Sequence, residues 1–147
     1  MGLSEKWGAL AIDKQSKISE ESAQEQIKAL CEHYDVNIND VSKEQEFAVD
    51  QALSKLLIAF KAGRLEIKDD DKGFSVIQYL KDGDTITYRE LAGRDKARLG
   101  DIGDNPIKYV HKLLGFLCGL GEDAIGKLTG PDLKAAEGLG QYFLLCC

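Results

Sequence analysis

Cys31 with His33, and His111 with Cys118, are the residues of this 147-residue chain whose side chains could hold a metal or pair a nucleophile with its base. Zinc sites are built from close ligand pairs such as C-x-x-C or H-x-x-x-H. Cys31 and His33 stand at i and i+2, which point to different sides of a helix. His111 and Cys118 fall on one helical face but form no such pair. A Cys–His nucleophilic couple would also need a glycine-flanked nucleophile turn and a group to orient the base, and neither is evident. Core thiols and a surface imidazole are the expectation, with no metal, no cofactor and no catalytic residue.

Two further stretches fail as ligand loops. "DDDKGF" is rich in oxygen ligands, but an EF-hand loop starting at Asp69 would need Gly and an acid where Phe74 and Leu80 stand. A hairpin turn with solvated carboxylates fits better. The glycines of "LLGFLCGLGEDAIG" include no G-x-G-x-x-G after a strand, which leaves a dinucleotide loop without its fingerprint. "TYRELAGRDKARLGD" concentrates Arg89, Arg94, Lys96 and Arg98. Arginine suits bidentate pairing with a carboxylate or phosphate, so Arg89 and Arg94 are candidates for docking a partner. Internal pairing with Glu90, Asp95 and Asp101 is the competing reading.

The elements that must position these residues follow from period and punctuation. A helix is expected after Ser19 or Ser22, with Ala23, Ile27, Leu30, Cys31 and Tyr34 as its apolar stripe. "DVNIND" breaks it. Ser42 and Gln45 open a second helix carrying Phe47, Val49, Leu53, Leu56, Leu57 and Phe60 at spacings of three and four, and Gly63 stands at its left-handed C-terminal cap. The period then changes to that of strands. "RLEIK", "FSVIQYL" and "TITYREL", separated by "DDDKG" and "KDGD", predict a three-stranded antiparallel meander. Its middle strand puts Phe74, Val76, Gln78 and Leu80 on one face and Ser75, Ile77 and Tyr79 on the other, so both faces are expected to meet something. "AGRDKAR" is expected as a charged turn. Pro106 starts a helix after an Asp104 or Asn105 cap, "EDAIGKLTG" a short helical turn, and Pro131 a last helix.

The fold class expected is therefore α+β: N-terminal helices, a small meander and a C-terminal helical bundle. Residues 1–18, with Trp7, show no sustained period and are expected as a flexible arm. Residues 19–147 are expected as a single domain, divisible into 19–100 and 104–147. Gly115, Gly126, Gly138 and Gly140 inside the last helices either permit close helix approach or weaken the helices.

A formal charge of −6 argues against a nucleic-acid partner, because phosphate binding needs clustered Lys and Arg. The charge is uneven: residues 1–72 hold 15 acidic and 10 basic groups, and the remainder 10 and 9. No signal peptide pattern and no run approaching a membrane span is visible, so a cytoplasmic protein with reduced cysteines is expected. Lys6 departs from the myristoylation pattern after Gly2, and the terminal "FLLCC" lacks the polybasic tract of prenylated tails. Amphipathic helices without catalytic groups favour a protein binder or homo-oligomer over an enzyme.

The succession of "SVIQYLKDGDTITYREL", "AGRDKAR", "LLGFLCGLGEDAIGKLTGPDL" and "LGQYFL" resembles the tail assembly chaperones of tailed bacteriophages. Thr87, Arg89, Glu90 and Leu91 match a T-x-R-E-L strand, and Leu117, Gly119, Leu120, Ile125, Leu128 and Asp132 the helical pattern after it. The resemblance covers about the C-terminal half. It implies a non-catalytic protein of the host cytoplasm that coats the long helical tape-measure protein, helps tail-tube subunits gather around it, and is absent from the finished particle. Such proteins are often made in two lengths by ribosomal frameshifting. The contact would then lie on the C-terminal bundle, around Leu113, Leu117, Leu120, Leu139 and Phe143. A structural component of a virion or other large assembly, and an acidic inhibitor of a nucleic-acid enzyme, are the alternatives.

Overall fold

The computed structural model describes residues 19–37, 42–100 and 105–146. The expected arm, Asp101 and Cys147 lie outside them. Helix α1 (Glu20–His33) starts at Ser19, whose Oγ accepts the Ser22 N–H at 3.1 Å. Helix α2 (Lys43–Lys61) follows Ser42, here without a side-chain cap; the Gln45 N–H reaches the Ser42 carbonyl instead. Gly63, at φ 72°, ends α2 as expected. Its left-handed turn lets the Gly63 and Arg64 N–H groups close on the carbonyls of Phe60 and Ala59, satisfying two acceptors that a helix end leaves orphaned.

Strands β1 (Leu65–Asp70), β2 (Gly73–Tyr79) and β3 (Thr85–Arg89) form an antiparallel sheet in the order β1-β2-β3. Leu65 pairs with Gln78, Ile67 with Val76, and Val76 with Tyr88. This register puts Leu65, Ile67, Phe74, Val76, Gln78, Ile86 and Tyr88 on the face toward the helices. The other face carries Glu66, Lys68, Ser75, Ile77, Tyr79 and Thr87; there the Tyr79 hydroxyl, 40% exposed as a residue, donates to Glu66. On that side Ser75 and Ile77 are half-buried, and the face toward the helices carries the buried set.

The charged segment expected as a turn is a short helix, α3 (Gly93–Leu99). Helices α4 (Pro106–Cys118), α5 (Glu122–Gly126) and α6 (Gly130–Cys146) complete six helices among the described residues, an α+β fold. Asn105 caps α4 through the Lys108 N–H, with Pro106 in the first turn. One apolar core runs from Ala23 of α1 through Phe60, Val76 and Tyr88 to Leu113, Leu139 and Phe143, crossing the expected division near residue 100.

Glycines set the helix spacing in the last third. A Cβ on Gly140 would lie 2.2 Å from Val110 Cγ1, and one on Gly138 2.8 Å from Lys55 Cβ. A Cβ on Gly115 would meet the Gly121 carbonyl carbon at 2.4 Å. All three therefore serve close approach: α6 against α4, α6 against α2, and the turn from α4 into α5.

The core also contains a polar chain. Gln78, fully buried, donates to the Asp132 carbonyl at 2.7 Å and accepts from the Tyr88 hydroxyl at 2.7 Å. It ties β3 and β2 to the first turn of α6. Burial drives the Tyr88 hydroxyl pKa far above its ordinary range, so Tyr88 remains a donor.

Candidate functional site: a groove between the first two helices

The five apolar residues expected to meet a partner divide sharply. Leu113, Leu117, Leu139 and Phe143 are between 0% and 3% exposed and belong to the core, whereas Leu120 is 61% exposed at the turn after α4. The correction has a simple cause. The α4 stripe packs against α6 and β3, so this apolar area is covered by the chain itself. A partner could reach Leu113 or Leu139 only by opening the core.

Arg89 is engaged internally, in the competing reading. Its two Nη atoms meet the Asp95 carboxylate at 2.9 and 2.6 Å, and Asp95 also accepts the Ala92 N–H at 2.9 Å. The Arg89 hydrogen bonds, helped by that N–H and by the Arg94 charge, hold the buried Asp95 carboxyl below the usual carboxylate range against the cost of burial. Arg94 is exposed. The structure therefore separates the two arginines: one locks the β3–α3 turn and the other faces solvent.

The metal candidates are likewise dispersed. Cys31 is buried while His33 stacks on Phe74, with ring centroids 3.7 Å apart, and pairs through Nε2 with the Glu90 carboxylate. His111 faces Glu137 at 4.0 Å, and Cys118 donates to the Gly115 carbonyl. Among the described residues no group of three or more His, Cys, Asp or Glu side chains could hold a metal. No helix of the described residues is long and apolar enough to cross a membrane.

Among the described residues an opening lies between α1 and α2. There the chain forms a groove of about 940 Å³, with Ile27, Cys31, Val36, Leu53 and Leu57 as its apolar lining and Lys28, Glu32 and Asp50 among its polar lining. Phe47, 72% exposed, lines an adjoining recess that shares Asp50 and Ser54. The exposed Phe47 ring thus stands beyond a polar edge of the groove, toward the start of α2.

Both walls are anchored. On α1 the Gln26 side chain accepts the Ile67 N–H, the Tyr34 hydroxyl accepts the Leu91 N–H, and His33 clips onto Glu90. On the other side α2 lies along α6, which it approaches closely at Gly138. A groove with fixed walls needs little ordering when a partner enters.

Sequence reasoning assigned Ile27, Leu53 and Leu57 to core stripes, but they remain partly exposed. One signal was available: α2 carries apolar residues at 47, 49, 53, 56, 57, 58 and 60, a wider arc than one packed face requires. Set beside known proteins, the chain matches no protein-family model, no curated protein and no solved structure.

Proposed function

We propose that the chain is a non-enzymatic escort of a helical protein partner, acting as a tail assembly chaperone acts on the tape-measure protein of a tailed bacteriophage. The observation that carries this reading is the α1–α2 groove, with its apolar lining, charged neighbours and firmly held walls. An amphipathic helix entering such a groove buries residues at i, i+3, i+4 and i+7, while its polar face stays wet. A tape-measure protein exposes apolar helical stripes before assembly. Covering them reversibly prevents self-association, and releasing them lets tail-tube subunits gather.

The groove takes over the role that the sequence reading gave to the C-terminal bundle. The segments that carry the resemblance act in the fold: Arg89 of the T-x-R-E-L strand fixes Asp95, and Ile125 and Asp132 of the helical pattern are buried. Phe47 is a direct probe, since a side chain 72% exposed contributes little to folding. The test is affinity capture of the full-length tagged chain from its native source, with mass spectrometry of bound proteins and of any finished particles. Recovery of a long helical protein, its loss on Phe47→Ser and Ile27→Gln, and absence of the chain from particles are expected. Stoichiometric presence in particles would instead make it a structural component.

A further inference from the structure

A second opening lies on another side of α2, and its chemistry differs from that of the groove. Helices α2 and α6 touch at Lys55 and Gly138. Beyond this contact, toward the end of α2, the small side chains of Ala59, Ala62 and Ala135 floor a recess of about 340 Å³, walled by Ile58 and Pro131. The alanines are between 2% and 5% exposed. They are already packed, so the space above them is part of the resting fold.

The charged groups lining this recess have one sign. Lys55, Arg64 and Lys134 line it, and among the described residues no Asp or Glu does, in a chain with 25 acidic and 19 basic residues. Among the described residues the Arg64 and Lys134 side chains form no ion pair or hydrogen bond. Lys55 makes only a 3.4 Å bond to Gln141. The recess thus combines an apolar floor with positive charge, and an anion with an apolar body complements both.

We infer that this recess binds a small amphipathic carboxylate, with the carboxylate held by Arg64 and Lys134 and an aliphatic or aromatic body lying on Ala59, Ala62 and Ala135 beside Ile58. Arg64 supplies the forked donor that fits a carboxylate, and Lys134 a mobile point charge. The volume is at the small end of ligand sites, which selects one short molecule over a polymer. The apolar floor argues against inorganic phosphate or nucleotide phosphates, which would leave the alanines facing water. The ligand is a free small molecule, and the site does not depend on the α1–α2 groove.

Octanoate is the probe, titrated into the ¹⁵N-labelled full-length chain and compared with 1-octanol, which keeps the body and removes the charge. Octanoate should give saturable amide shifts clustered at Ala59, Ala62 and Ala135, with octanol at least about tenfold weaker. Arg64→Gln and Lys134→Gln, at side chains that form no ion pair or hydrogen bond among the described residues, should each weaken octanoate by about tenfold while leaving the melting temperature within a few degrees of wild type. Absence of saturable shifts in the millimolar range, equal affinity for octanol, or shifts centred on Ile27 and Leu53 would each overturn the assignment.

Discussion

Arg89 and Asp95 form a two-pronged ion pair across the turn from β3 into α3, with Nη1 2.9 Å from Oδ2 and Nη2 2.6 Å from Oδ1. The partners are unequal, for the Asp95 side chain is 1% exposed and that of Arg89 44%. Arg89 therefore acts as a lid over a buried carboxylate, and its loss strands that charge with the Ala92 N–H as its remaining hydrogen bond.

Arg89→Gln should lower stability by about 1–3 kcal/mol at pH 7, read by urea unfolding. The deficit should depend on pH in one direction. The folded Asp95 carboxyl titrates below its unfolded value, so its contribution is complete above the unfolded pKa of about 3.9 and fades as pH falls through the folded value. The gap between wild type and variant should narrow as pH falls below the unfolded pKa; a gap that stays constant from pH 7 into acid would assign the effect to packing of the arginine stem.

Glycines allow a paired comparison. Gly140→Ala drives a methyl into Val110 and should cost about 1–3 kcal/mol. Gly126→Ala meets only His111 Nδ1 at 3.9 Å and lies at an ordinary helical φ. It should raise stability by about 0.4–1 kcal/mol, because alanine restricts the unfolded chain. Thermal melts of the two variants should move in opposite directions.

The strands were readable because β-branched runs and the turns "DDDKG" and "KDGD" act locally. The inward set Phe74, Val76 and Gln78 followed from alternation alone. Helix α3 was not readable: "GRDKARL" begins with Gly, mixes charges and has one leucine, and it closes on a contact between Arg89 and Asp95 that no periodicity encodes. The glycines posed a question that only the distance from Gly140 to Val110 answers. The site failed for a related reason. An amphipathic stripe says that Leu113 and Leu117 must be covered but not whether the cover is another part of the chain or another protein.

Leu117 and Leu120 test that distinction, since one is 3% and the other 61% exposed. Leu117→Asp buries an unpaired carboxylate and loses core packing, together comparable with the whole stability of a small domain. It should yield an unfolded or insoluble chain. Leu120→Asp should remain within about 0.5 kcal/mol of wild type. A folded Leu117→Asp protein by circular dichroism would show that α4 is not held in the core as described.

The thiols give a prediction independent of stability. Burial raises the Cys31 pKa, offset in part by a hydrogen bond with Tyr142, and burial likewise raises that of Cys146, with Cys31 adding to the effect. Both should be protonated at pH 8, where an ordinary thiol of pKa about 8.5 is already part thiolate. Alkylation by iodoacetamide, resolved by peptide mass spectrometry, should be slow at both sites at pH 8. It should accelerate only above the usual thiol range, or at once when urea unfolds the chain. Rapid native labelling of Cys31 would mean that the wall of the α1–α2 groove opens, since Cys31 lines it. A partner helix seated there should then protect Cys31 and leave Cys146 unchanged.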